Sequence, residues 1–272
     1  MIDLTERYEI KKKLKNRDIS CKCQIFFVSL QQILETWITS TKSEQRNDTT
    51  NRYISQALRN RLAGLKTLKP TKHIIVPEGS HTVLLHACCA PCSSAIVEWM
   101  LAHEIEPVIY YYNPNIWPRE EYEIRKQESK RHAESLGVKW IEGDRRGSGP
   151  DQPCGYGHEE WREAVCGLEH EPERGRRCEM CFHHRLLATA RKAQELGIGW
   201  FATTLASSRW KNIEQVNAAG QAAAAAVSNP QSAVRFWAQN WRKDGLQDRR
   251  NELLKEYGFY NQLYCGCEFS VR

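Results

Sequence analysis

Leu84-Leu85-His86-Ala87-Cys88-Cys89-Ala90-Pro91-Cys92-Ser93-Ser94 decides the fold. Residues 83–87 are apolar and follow the turn signal Pro77-Glu78-Gly79-Ser80, so they predict a short buried strand. Ser93 or Ser94 is placed to cap a following helix whose apolar face would be Ile96, Val97, Met100 and Leu101. Between strand and helix stand Cys88, Cys89 and Cys92. In a parallel α/β fold the loop after a strand is where ligands bind, because strand C-termini and helix N-termini converge there. Adjacent side chains in a strand point to opposite faces, so Cys88 and Cys89 reach one centre only if the chain turns; Pro91 favours a turn. One cysteine here would read as a buried, inert thiol. Three, with further pairs downstream, point to metal or redox chemistry.

Outward from this stretch the pattern is strand–helix alternation. Residues 108–112 predict a second strand ending in Asn113-Pro114-Asn115, and 119–136 a highly charged helix closed by Gly137. Residues 138–141 predict a third strand, 142–156 a Gly/Pro/Asp-rich loop, and 158–165 a short helix. A helix over 182–196, a strand over 200–205 and a helix over 212–227 with a five-alanine run complete the regular part. Alternation of this kind predicts a three-layer α/β fold with a mostly parallel sheet. Residues 233–272 carry Trp237, Trp241, Tyr257, Phe259, Tyr260 and Tyr264, which suit subdomain packing or a base-stacking surface.

The chain has 272 residues, enough for one large α/β domain, taken as 79–272, and an extension, 1–78. The extension holds the basic run Lys11-Lys12-Lys13-Leu14-Lys15, a linker-like 42–52 and a lead-in helix over 53–68; its Cys21 and Cys23 have no second ligand pair nearby. We expect residues 1–50 to be partly disordered and dispensable for chemistry. The formal charge is +7 over 1–78, −8 over 79–173 and +7 over 174–272, so both ends suit a polyanion such as RNA, although Lys/Arg runs are commonly just solvated faces. No apolar run approaches a membrane span or a secretory core, which points to a cytoplasmic protein. Eleven cysteines without an export signal suit ligand and reactive thiols better than a disulfide framework.

Arg177-Cys178-Glu179-Met180-Cys181-Phe182 is the second cysteine site. Thiolates three residues apart chelate one metal or cluster edge, and Arg174, Arg176, Arg177 and a following helix N-terminus should favour the thiolate. A thioredoxin-type disulfide is the alternative, but the motif comes too late in the chain for it. Cys88, Cys89, Cys178 and Cys181 together suit structural zinc and a [4Fe–4S] cluster equally. Tyr264-Cys265-Gly266-Cys267 is the third feature: one intervening residue makes a small, strained, easily reduced ring, so electron-pair transfer is preferred to a further chelating pair. Arg209-Trp210-Lys211-Asn212, at another strand end, could meet phosphate or sugar, or simply start a helix.

These motifs, with Tyr111-Tyr112-Asn113-Pro114-Asn115-Ile116 and Thr203-Thr204-Leu205, stand in the order seen in the QueH family, which the chain resembles from about residue 80 to its C-terminus. That family comprises the cobalamin-independent epoxyqueuosine reductases, which act on tRNA and remove the epoxide oxygen of epoxyqueuosine in the anticodon loop. The resemblance implies a fold similar to the adenine-nucleotide α-hydrolase-like (HUP) group. It also implies that Cys88, Cys89, Cys178 and Cys181 ligate a [4Fe–4S] cluster and that Cys265 and Cys267 are the redox-active pair. Where nucleotide-binding relatives of that fold have a Gly-rich phosphate loop, this chain has its cysteine motif, so ATP use is not expected. The resemblance leaves room for a second metal ion near the cluster, through Cys92, and requires an external electron donor. The long N-terminus departs from the family pattern.

The implied reaction adds two electrons and two protons and releases water; His86, Tyr260 and Tyr264 are the candidate proton donors. Two rivals are a zinc-stabilised RNA-binding module, which leaves Cys265 and Cys267 without a job, and a sulfur-inserting tRNA enzyme, which should show a pyrophosphatase loop that this chain lacks.

Overall fold

The structure, a computed structural model, describes residues 73–144 and 155–270. The basic run, the linker, the lead-in helix, Cys21, Cys23 and most of the predicted 142–156 loop lie outside the described residues. The elements in order are β1 (Thr82–His86), α1 (Ala90–Ala102), β2 (Glu106–Tyr111), α2 (Arg119–Ser135), β3 (Trp140–Glu142), α3 (His158–Ala164), α4 (Arg176–Glu195), β4 (Trp200–Thr203), a 3-10 turn (Thr204–Ser207), α5 (Ile213–Val227), β5 (Arg235–Phe236), α6 (Leu246–Glu256) and a second 3-10 turn (Glu268–Ser270).

All five strands are parallel, in the order β3-β2-β1-β4-β5. β1 is central and reads as an apolar run because both its faces are covered: Val83, Leu84 and Leu85 are fully buried. Each such side chain contributes about 1.5–3 kcal/mol by leaving water. Helix α1 packs against α2 and α6, and α4 packs against α5, so the strands lie in an α/β arrangement with two helix groups. The strand order runs from β1 to β2 and β3 on one side and to β4 and β5 on the other. The chain therefore reverses direction across the sheet at the boundary between β1 and β4, and a crevice opens beyond the C-terminal ends of those two strands. His86, the last residue of β1, stands in register with Thr203, the last of β4.

Three local expectations change. Neither Ser93 nor Ser94 caps α1: the N-cap is Cys89, with Pro91 in the first turn, and both hydroxyls donate instead to carbonyls of the preceding turn. The helix predicted from 182 begins six residues earlier, at Arg176, because its polar, cysteine-bearing first turn carries no apolar period. The C-terminal aromatics divide: Trp237, Trp241 and Phe259 are buried core, with Trp241 at 6.0 Å from Trp99 and 5.0 Å from Trp237 between ring centres, whereas Tyr260 is exposed. Gly137 ends α2 in the left-handed conformation, as expected of a closing glycine.

Candidate functional site

The turn needed to bring Cys88 and Cys89 together is the strand-to-helix junction itself. β1 ends at His86, α1 begins at Ala90, and the extended Cys89 between them leaves the two sulfurs 3.8 Å apart. One helical turn on, Cys92 returns to the same place, and the three Sγ atoms lie within 4.8 Å of one another. Among the described residues this is the group of three or more metal-ligating side chains packed so closely. Cys92, left open as a site for a second metal in the sequence, is thus a full member of it.

Thr204, the first residue of the 3-10 turn after β4, fixes Cys88 from across the crevice. Its hydroxyl accepts from the Cys88 N–H at 3.1 Å and donates to the Cys88 sulfur at 3.4 Å. Hydrogen bonds from Cys89 and Cys92, with the Lys211 cation and Thr204, hold the Cys88 thiol well below the usual thiol range. Cys89 is pushed well up by the same bonds and by burial, and Cys92 up to about 11. Of the three, Cys88 is thus the thiol whose ionisation this site favours, at the N-terminus of α1.

A cavity of about 840 Å³ opens over this group, lined by Cys88 and Cys92 on one side and by Cys178, Cys181, Cys265 and Cys267 elsewhere. Cys178 and Cys181 sit in the first two turns of α4, where a spacing of three places them on one helix face. The Arg174 N–H donates to Cys178 Sγ at 3.3 Å, and Arg185 Nη1 approaches Cys181 Sγ at 3.9 Å. The expected thiolate at Cys178 is not favoured: burial pushes it up to about 11. The Arg174 N–H and the Arg177 cation pull the other way but do not offset the burial, their guanidinium groups being turned to carbonyls. Arg177 donates its guanidinium to the carbonyls of Leu168, Glu169 and Glu171, Arg174 to those of Arg209 and Trp210, and Arg176 is exposed.

The C-terminal strap reaches the same cavity. Gln262 Nε2 donates to Cys89 Sγ at 2.9 Å, and Cys267 pairs with Ile116 in an antiparallel bridge. The Trp117 N–H donates to the Gly266 carbonyl at 2.8 Å, and the Tyr264 hydroxyl donates to the Trp117 carbonyl. Gly266 has φ of +102°, and a Cβ there would sit 2.9 Å from both Arg125 Nη1 and Ile116 Cγ1, so glycine is required twice over. Cys265 and Cys267 are free thiols, and burial pushes Cys267 up to about 12. Lys211, half-buried at the cavity wall, loses solvation there but is held above the usual lysine range by the thiols of Cys265, Cys88 and Cys92.

The three candidate proton donors separate. His86 is fully buried and does not line the cavity; its Nδ1 lies 2.8 Å from Thr203 Oγ1 and its Nε2 3.1 Å from the Tyr112 carbonyl. Burial, then the Arg185 cation, lowers its pKa to about 3, so the ring is neutral, donating from Nε2 and accepting at Nδ1. Tyr260 donates to Glu121 at 2.8 Å, away from the cavity. Tyr264 lines the cavity, and burial with Glu121 nearby raises its pKa, so its phenol keeps its proton.

Two buried arginines escaped the sequence reading. Arg185 joins α4 to Asn113, whose Nδ2 donates to the Ala87 carbonyl at 2.9 Å, so the end of β1 is tied to the Cys178/Cys181 helix. Arg125 holds the strap from α2. The signal that could have found Arg185 is its i,i+4 spacing from Cys181.

A family model described as "Epoxyqueuosine reductase QueH" matches residues 83–272. Relatives named epoxyqueuosine reductase QueH include that of Haemophilus influenzae (strain ATCC 51907 / DSM 11121 / KW20 / Rd), 42% identical over 197 residues, 72% of this chain and 74% of the relative. That of Acinetobacter baylyi (strain ATCC 33305 / BD413 / ADP1) is 41% identical over 204 residues, covering 75% and 87%. That of Thermotoga maritima (strain ATCC 43589 / DSM 3109 / JCM 10099 / NBRC 100826 / MSB8) is 34% identical over 195 residues, covering 70% and 90%.

Proposed function

This chain belongs to the epoxyqueuosine reductase QueH family, and from that premise we propose that it reduces epoxyqueuosine in a tRNA anticodon loop to queuosine with an iron–sulfur cluster and a redox-active dithiol. The observation that carries the reading is the single cavity on which Cys88 and Cys92, Cys178/Cys181 and Cys265/Cys267 all open, with Cys89 buried behind its wall.

The donor set fits a thiolate-ligated iron centre: the Cys88, Cys89 and Cys92 sulfurs lie within 4.8 Å of one another, Cys178 and Cys181 stand outside that group on the wall of the same cavity, and the Lys211 cation is there to offset charge. We assign Cys88, Cys89, Cys178 and Cys181 as [4Fe–4S] ligands and Cys92 to a second metal ion beside them. When bound, such a cluster supplies single electrons or Lewis acidity toward an oxygen.

The chain's own residues account for the remaining atoms. The epoxide consumes two electrons and two protons; both C–O bonds break, a carbon–carbon double bond forms and the oxygen leaves as water. Cys265 and Cys267 release two electrons and two protons on forming a disulfide, which an external electron donor must then reduce. Tyr264 lines the cavity, and its hydroxyl gives a proton to the leaving oxygen by exchanging the Trp117 carbonyl for the substrate as its acceptor. Arg125 fixes the strap carrying all three residues, and Gln262 closes it over Cys89.

Among the described residues no helix is long and apolar enough to cross a membrane. The test is nucleoside mass spectrometry. Anaerobically purified, iron-loaded protein, given dithionite and an anticodon stem-loop bearing epoxyqueuosine, should yield a nucleoside lighter by one oxygen. An unchanged nucleoside with a fully iron-loaded protein would refute the reading.

A further inference from the structure

Trp210 stands at the cavity rim with 67% of its surface exposed, the most exposed aromatic side chain among the described residues. An indole is among the costliest groups to leave in water, and among the described residues Trp99, Trp161, Trp237 and Trp241 are buried in the core. The loop that carries it is nevertheless rigidly built. Arg174 donates to the Trp210 carbonyl at 3.0 Å and to the Arg209 carbonyl at 3.1 Å; Arg242 donates to the carbonyls of Ser208 at 2.6 Å and Lys211 at 2.7 Å. Two guanidinium groups thus hold the backbone of residues 208–211 from both sides while the indole points out. The Arg209 guanidinium lies over one face of the indole, 5.1 Å from its centre, so a base would stack on the opposite face with a cation behind the ring.

A pre-organised aromatic with adjacent cations at the mouth of a reaction cavity is the arrangement that takes unstacked bases of single-stranded RNA, with stacking on the ring and phosphate against the cations. The formal charge of +7 over residues 174–272 supplies the matching polyanion attraction. Resting on the tRNA reading of the site, we propose that Trp210 is a base-stacking residue: it holds a nucleobase neighbouring the modified one and so places that nucleotide in the cavity. Stacking is sequence-tolerant, so Trp210 sets position and affinity and leaves recognition of the modified base to the cavity walls.

The experiment is fluorescence anisotropy of a labelled anticodon stem-loop RNA with full-length wild type, Trp210→Ala and Trp210→Phe. Loss of one base–aromatic stack weakens binding about fivefold to a hundredfold, so Trp210→Ala should fall in that range. Because no phosphate contact is lost, the dependence of its affinity on salt should keep the wild-type slope. Trp210→Phe should recover to within about threefold of wild type, since a phenyl ring also stacks. Trp210→Ala binding as tightly as wild type, or Trp210→Phe binding as weakly as Trp210→Ala, would overturn the inference alone. A wild-type protein that does not hold the hairpin would overturn the tRNA reading and the inference with it.

Discussion

The guanidinium of Arg125 donates to the carbonyl oxygen of Cys265 at 3.2 Å, joining the middle of α2 to the C-terminal dithiol. The same side chain donates to the Tyr264 carbonyl at 3.4 Å and, through Nε, to Glu121 at 2.7 Å. Arg125 is 3% exposed, so its charge is affordable only because Glu121 and two carbonyls surround it.

Arg125→Ala should therefore destabilise the protein by about 3–5 kcal/mol in urea unfolding, because it leaves Glu121 buried without its cation. Turnover should fall further than iron content, since the strap loses its anchor while Cys88 keeps its bonds to Thr204. A loss below about 1 kcal/mol with full turnover would show that the strap does not depend on this residue.

Gly266→Ala tests the strap from the backbone side. A side chain at φ +102° meets Arg125 and Ile116 at 2.9 Å, so the segment must shift or strain. The backbone penalty is about 1–2 kcal/mol. Misplacing the dithiol by about an ångström should lower turnover roughly 10²-fold, read by single-turnover kinetics, with iron unchanged. Wild-type kinetics in this variant would contradict the positioning role.

Tyr264→Phe should lower turnover by about 10²–10⁴-fold while leaving iron content and stem-loop affinity alone, as expected for removal of a proton donor. Tyr260→Phe should have a small effect, because Tyr260 does not line the cavity. Tyr264→Phe turning over at the wild-type rate would move the donor elsewhere.

What the sequence revealed and what it hid follow from where each signal resides. The central β1–α1 junction was legible because a buried parallel strand leaves an uninterrupted apolar run, and cysteines stand out in any composition. Helix α6 was not, since Leu246 and Leu253 are its buried residues and the rest is charged, which gives no usable period. The two-residue β5 is too short to leave a pattern. Within the site the thiols could be named in advance, but not that Cys92 joins Cys88 and Cys89, which depends on the helix starting at Ala90. Arg125 and Arg185 look like surface charges in sequence, because a buried arginine is recognised by partners more than 70 residues away in the chain, Cys265 and Asn113 among them.

The division of the thiols into those that hold metal and those that exchange electrons is tested most directly by Cys178→Ser and Cys267→Ser, purified anaerobically side by side and assayed for iron and for turnover. Cys178→Ser should lose the visible iron chromophore. Cys267→Ser should keep its full iron complement yet fail at multiple turnover, and thiol counting under denaturing conditions should lose the difference of two thiols that separates oxidised from reduced wild type. If Cys267→Ser instead purifies without iron, the C-terminal pair belongs to the metal site and the electron route through Cys265 and Cys267 is wrong.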